Sequence, residues 1–496
     1  MTSSAQLPWV NWSGSQQICP KRVAHPRSLA ELQEIVREVS ASSGQLKAVA
    51  TGLSFSDILR SEGTLVEVTG LLGEPQTGAL LPLEEELWAA PASEPLVRIP
   101  CGARIRQLNA ALASAGLGFT NLGGYDGQTM VGAISTSTHG SGLRIPPLGD
   151  SVRSLDLVGE GGRLYRIEPS AGLTDPRAFA RRYADSMTLI QSDACFWPCV
   201  VALGCMGVIY SVTMAVSPAY RLQERRRIRP WSEVARELRT LVPLYQFRNY
   251  EVLLNPYPLR GGEYDCLVTE RSVAVPDAEH RPLSPDQRSA ESLTFLASTQ
   301  REVLRLMSSE PRLIPGMLRA GFEALETREP HVDASHIVYN VGKINTADVM
   351  GGEYFYPLSG DCHLLAVERL LALIAHNARR GMHQPTPLAL RFVAGSRAPL
   401  SMARREPHCA IEIAWFTGMP RGGEALYGYE QLCLELGGRP HWGQVQELTG
   451  EPGWLRSAYP GLDEWLGAHR RFNARGVFDN HFTDRLGLSM RGSVPA

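Results

Sequence analysis

One stretch, Asn121–Gly142 (NLGGYDGQTMVGAISTSTHGSG), constrains the rest of the chain. It holds six glycines and six serine or threonine residues, with almost no charge. A strong helix is not expected there, because each glycine costs about 1 kcal/mol relative to alanine. The composition suits a backbone that runs close to something flat or anionic. Glycine removes the Cβ that would block approach, and free N–H groups and short hydroxyls then face the ligand. A solvated linker can look similar, but Met130, Val131, Ala133 and Ile134 sit inside the run, and a linker has no use for them. Thr136-Ser-Thr-His139-Gly-Ser-Gly142 is the densest part and the expected bed of a phosphate-bearing cofactor.

Ahead of it lies a small α/β unit. Val23–Pro26 reads as a short strand. Ser28 opens a helix with Glu31 as a capping-box partner, and Leu29, Leu32, Ile35, Val36 and Val39 form its apolar face. Lys47–Ala50 is a strand running into Thr51-Gly-Leu-Ser-Phe-Ser-Asp57, a polar glycine turn suited to an anion. Strands are expected at Leu65–Val68 and Val97–Pro100, and a helix at Ile105–Ala115. Val152–Gly159 and Gly162–Ile167 should pair as a hairpin, and Phe179–Tyr183 should be a short helix. Gly204–Gly207 is a turn entering the β-branched strand that starts at Val208.

The chain then changes character. Tyr250–Pro256, Tyr264–Thr269, Ile337–Val341, Glu353–Tyr356, Ala389–Val393 and Ala410–Phe416 read as strands. Ser292–Met307 and Leu364–Arg379 have helical periodicity, and Val275–Arg288 reads as a surface loop. This pattern predicts an α+β domain with an antiparallel sheet. Arg225-Arg-Arg227 with Arg229 reads as a solvated strand edge.

With 496 residues, two or three domains are expected. Net charge is −2, which argues against a nucleic-acid partner. No apolar run reaches spanning length, and no signal-peptide pattern opens the chain. Cys195 and Cys199 lack a second pair at zinc spacing, so no metal site is expected, and nine scattered cysteines fit free thiols in a reducing cytoplasm. There is no G-x-G-x-x-G and no Walker motif.

Four segments together carry a resemblance. Gly52-Leu-Ser-Phe-Ser-Asp57 resembles the G-H-S-F-x-D turn of the vanillyl-alcohol-oxidase (PCMH-type) flavoproteins. Gln128-Thr-x-x-Gly-Ala-x-Ser-Thr-x-Thr-His-Gly-Ser-Gly142 resembles that family's second flavin segment, in the form of its aldonolactone (D-arabinono-1,4-lactone or L-gulonolactone) and alditol oxidase branch. Gly204-x-x-Gly207-Val-Ile209 resembles the third, and Arg439-Pro-His-Trp-Gly443 a C-terminal motif of the branch.

The resemblance implies a two-domain fold. Residues 1–217 would bind FAD, 218–440 would form an antiparallel cap over the substrate, and 441–496 would return to the FAD domain. It implies cofactor contacts from Ala50, Thr51, Gly52, Leu53, Ser54, Phe55 and Ser56. Further contacts would come from Gln128, Thr129, Gly132, Ala133, Ser135, Thr136, Thr138, His139, Gly140 and Ser141, and from Gly207, Val208 and Ile209. The implied activity is oxidation of a CH–OH group by hydride transfer to flavin N5, with oxygen as acceptor. The alternatives are a flavin oxidase or cyclase of secondary metabolism and a degenerate FAD-binding protein.

Two departures stand out. Many relatives attach FAD through a histidine where this chain has Leu53, so FAD is expected to be non-covalent. Relatives also carry a Glu-x-Arg pair beneath the flavin. Here Arg391 fits, but Ala389 stands where the glutamate belongs, and Gln444 replaces a lysine common after His-Trp-Gly. A larger or more apolar alcohol than a simple lactone or alditol is then plausible. His441 is the first candidate proton acceptor, because its unperturbed pKa is near neutrality. Glu353 and Glu412 follow.

Overall fold

The computed structural model describes residues 8–72, 79–288, 301–340, 349–450 and 453–491. The α/β unit forms as the pattern predicts. Arg22–Ala24, Thr64–Glu67 and Leu46–Val49 make a parallel three-stranded sheet in that order. The helix Leu29–Ala41 buries Leu32, Ile35, Val36 and Val39 against it. Ser28 caps this helix by accepting from Glu31 N, while Glu31 accepts from Arg27 N instead of closing a reciprocal box.

A five-stranded sheet follows, in the order Thr188–Gln191, Leu164–Glu168, Val152–Val158, Val208–Ala215, Leu96–Pro100. Its hairpin turns at Gly161, whose φ is +71°. The C-terminal helix Leu462–Phe472 packs into the same core through Leu462, Trp465, Ala468 and Phe472.

The middle of the chain builds an eight-stranded, antiparallel sheet. Its order is His331–Ala334, Arg221–Pro230, Asp265–Val273, Asn249–Leu254, Leu388–Val393, His408–Phe416, Val349–Pro357, Arg439–Pro440. Alternation decides its two faces. Leu388, Leu390, Phe392, Cys409, Ile411, Ile413, Tyr354 and Tyr356 turn one way, into a second core under the helices Cys362–Arg379 and Gly422–Glu435. Glu353, Ala389, Arg391, Glu412 and Ala414 turn the other way, toward the N-terminal loops. The fold is α+β, as the sequence predicts.

Four expectations fail. Residues 337–339 of the strand expected at Ile337–Val341 lie in a helix, Ser335–Tyr339; Val341 lies outside the described residues. Burial of Val338 and Tyr339 on that turn overrides their β-propensity. Within Asn121–Gly142, Met130–Ser135 is helical, started by Thr129 accepting from Gly132 N. Arg226 is not on a solvated edge: its strand pairs on both sides, and Arg226 is 1% exposed against Glu224 at 2.7 Å. Residues 285–288 of the expected loop are helical. The Ser292–Met307 helix is described only from residue 301, as Arg301–Ser309.

Candidate active site

Three glycine turns and one sheet face enclose a cavity of about 380 Å³. The first turn leaves the strand Leu46–Val49. Gly52 sits at φ +63°, and a Cβ there would lie 3.0 Å from the Trp9 ring. The N–H groups of Thr51, Gly52, Leu53 and Ser54 donate to no described residue. The turn is tied from behind instead: Phe55 N donates to Gly443 O (2.8 Å) and Ser56 Oγ to Trp442 O (2.7 Å).

The second stretch is stitched to the large sheet at its end. Ser141 Oγ donates to Tyr250 O at 2.7 Å, Asn249 Nδ2 donates to Ser141 O, and Gly142 N donates to Phe392 O. Gly142 needs its glycine, with φ +133° and Arg248 O 2.7 Å from any Cβ. In the third turn Gly207 has φ +137°, and a Cβ would meet Val158 O at 2.6 Å.

The sheet face supplies the charges. Strand register sets Leu253, Ala389, Glu412 and Glu353 in one cross-strand row, and Arg391 one row away. Arg391 reaches Glu412 at 2.8 Å and Glu353 at 3.4 Å. Burial opposes its charge, but Glu412 and Glu353 outweigh burial and push its pKa up. Glu353 is sealed, with 4% of its side chain exposed, whereas Glu412 keeps 27% open toward the cavity.

His139 Nδ1 lies 2.7 Å from Gly140 O, which can only accept, so Nδ1 carries a proton. Its Nε2 faces Glu353 Oε1 at 3.3 Å. Burial favours the neutral form of Glu353, but His139, His441 and Arg391 overcome it and hold its carboxyl below the usual range. His441 accepts from Gly443 N through Nδ1 at 3.0 Å, which leaves Nε2 as a donor. Burial pushes its pKa down to about 4, against the opposing charge of Glu353.

Most residues singled out in the sequence converge here. Residues 50–55, Gln128, Thr129, Gly132, Ala133, Ser135, Thr136, Thr138, His139 and 207–209 line the cavity, as do Glu353, Arg391, His441 and Gln444. Ser56, Gly140 and Ser141 stand behind its wall. Gln444 Oε1 is buried with no partner among the described residues. Sequence reasoning passed over Lys47, which is 1% exposed and donates to Leu203 O at 3.0 Å. The signal was a lysine inside an otherwise apolar strand.

The lining fits FAD. Four N–H groups without a partner among the described residues suit a diphosphate, and Gly132, Ala133 and Gly207 leave room for a flat ring. The model of an FAD binding domain matches residues 20–168, and that of D-arabinono-1,4-lactone oxidase matches residues 212–486, more than half of the chain. The chain belongs to the D-arabinono-1,4-lactone oxidase family. It is a flavoprotein oxidoreductase that binds FAD.

Among its relatives, the L-gulono-1,4-lactone dehydrogenase of Mycobacterium tuberculosis is 26% identical, over 96% of this chain and 98% of that protein. The alditol oxidase of a Streptomyces species is 23% identical, over 95% and 97%. A solvent-stable cholesterol oxidase of known structure shares the fold, with a TM-score of 0.74, 15% identity and 97% of each chain covered. Among the described residues no helix is long and apolar enough to cross a membrane.

Proposed function

We propose that the chain oxidises the CH–OH group of a small-molecule alcohol, with FAD held non-covalently and oxygen as the acceptor. One observation carries this reading: Arg391 stands between two carboxylates on the floor of the cavity whose glycine turns fit FAD. Bound FAD supplies the hydride-accepting chemistry. Glu412, the carboxylate open to the cavity, accepts the hydroxyl proton. Arg391 gives a fixed cation where negative charge develops in a water-poor site. The Glu353–His139 pair fixes Arg391 from its sealed side. His441 acts as an Nε2–H donor and not as the base, because burial disfavours the cation that proton uptake would make and its Nδ1 lone pair is engaged by Gly443 N. The buried Oε1 of Gln444 accepts a hydrogen bond from the substrate.

Ala389 does not make the protein inactive in this reading, because Glu412 lies directly across from it on the next strand. FAD binding by residues 1–217, a cap at 218–440 and a returning tail at 441–496 complete the proposal. Two separate hydrophobic cores support that division, and the tail's Trp465, Phe472 and Phe482 lie in the first. Anaerobic bleaching of the FAD-loaded protein by a panel of polyols, lactones, sterols and amino alcohols tests the activity. No bleaching by any of them would refute it.

A further inference from the structure

The polar groups of the cavity floor gather at one end, around Arg391. Beyond them the same sheet face is apolar or small: Leu253 and Ala389 in the carboxylate row, then Pro387, Ala414 and Gly351, then Val349. Behind Leu253 and Ala389 stand Leu267, Phe322 and Leu325, all buried. The hydroxyl on this part of the floor, Thr386, is already spent. It accepts from Gln384 Nε2 and donates to Ala414 O, both at 2.9 Å.

We propose that the substrate is an alcohol with its hydroxyl on an apolar alicyclic or aromatic skeleton, and not a polyol or sugar lactone. The proposal rests on the CH–OH reading above. A polyol brings several hydroxyls, and each must find a partner when it leaves water. The Arg391 end can serve the reacting hydroxyl and Gln444 Oε1 can accept from one more, but the Leu253–Ala389 end has no described side chain to serve the others. Ala389 also makes room. Directly opposed residues on antiparallel strands have Cβ atoms roughly 5 Å apart. With the carboxylate at Glu412 instead of position 389, a methyl group borders space for a ring. Leu253, backed by Phe322 and Leu325, then gains from covering that ring.

The test uses the full FAD-loaded chain under anaerobic conditions. One series is cyclohexanol, 4-tert-butylcyclohexanol and cinnamyl alcohol. The other is xylitol, sorbitol and L-gulono-1,4-lactone. Flavin reduction per unit concentration should favour the first series by roughly 100-fold, the scale on which an apolar pocket discriminates against added hydroxyls. 4-tert-Butylcyclohexanone, which has no hydroxyl to oxidise, should bind and perturb the oxidised flavin absorbance saturably. In L253N and A389E the preference should move toward the polyols.

A polyol or lactone that reduces the flavin as well as the apolar alcohols would overturn the proposal. If neither series reduces the flavin, the CH–OH reading falls. The ketone titration then decides the apolar chamber by itself, and a flat titration would overturn it.

Discussion

At the scale of single residues, Arg391 is set by two carboxylates from different strands, both far from it in sequence. Removing it leaves Glu353 and Glu412 facing each other without a cation and removes the fixed charge from the site. Loss of one such electrostatic group costs roughly 100-fold to 1000-fold in rate. Arg391→Ala should therefore slow anaerobic flavin reduction by that much while FAD stays bound, as its absorbance after gel filtration will show. Leu53 makes a second prediction. A leucine side chain cannot attack the flavin, and His139 is engaged on both nitrogens by Gly140 O and Glu353. Acid precipitation should release all the yellow colour, and flavin left in the washed pellet would refute non-covalent binding. Gly132 bears on oxygen. A Cβ there would meet only Thr129 Oγ1, at 2.9 Å, and otherwise points into the cavity. Gly132→Ala should slow reoxidation of the reduced enzyme in air-saturated buffer, read by stopped flow. The same Thr129 hydroxyl caps the helix Met130–Ser135, so circular dichroism must show that the variant is folded. Slow reoxidation of the parent protein, unchanged in the variant, would remove oxygen as the acceptor.

At the scale of elements, strands and helices bounded by glycine and proline were legible, because those residues act locally. The hairpin at Gly161 and the helix Ile105–Ser114 formed where the pattern put them. The helix Ser335–Tyr339 was not legible. Its residues favour a strand locally, and only packing beside Asn249 and Arg248 turns them, through the Tyr339 hydroxyl. The site was legible in parts. Its three glycine turns could be read from motifs, whereas the row that sets Glu353 and Glu412 beside Ala389 depends on strand order and register, which no local pattern encodes. Gly207 shows how much one turn controls. Alanine there must adopt a left-handed φ and press its Cβ onto Val158 O, the first residue paired with the following strand. Gly161 has a similar sign of φ, with nothing within 4 Å of a Cβ. Gly161→Ala should cost about 1 kcal/mol, from backbone strain alone. Gly207→Ala should cost about 3 kcal/mol or more and weaken FAD binding, because the clash must displace backbone at the cavity wall. Urea unfolding and FAD titration of the two variants give the comparison, and equal losses would show that the clash is relieved without cost.

At the scale of the whole molecule, the large sheet is held by buried ionisable groups whose protonation differs between folded and unfolded chains. His408 is fully buried, with Nδ1 donating to Glu406 O at 2.7 Å and Nε2 accepting from Arg439 at 3.4 Å. Burial, helped by Arg439, lowers its pKa from 6.5 to about 4. His441 is lowered to about 4 as well, chiefly by burial. In both cases the folded value lies below the unfolded one. Between pH 6.5 and 4 the unfolded chain therefore takes up protons that the folded chain refuses, and stability falls with pH. Each histidine contributes a slope of up to about 1.4 kcal/mol per pH unit in that window, and almost none above it. Glu353 acts lower down: its carboxyl is held below 4.5 in the fold, so its contribution is present above pH 4.5 and disappears as pH falls through its folded value. Loss of stability should accordingly begin near pH 6.5, and Glu353 should carry it on below 4.5 as the two histidine contributions run out near pH 4. Chemical denaturation at half-unit steps from pH 8 to 4 measures the profile. His408→Asn should be less stable than the parent at pH 8, because it loses packing and the bond from Arg439. Its slope between pH 6.5 and 4 should nevertheless be shallower by about one histidine's share. An unchanged slope would mean that His408 accepts its proton inside the folded sheet, against the burial and the Arg439 contact that keep it neutral.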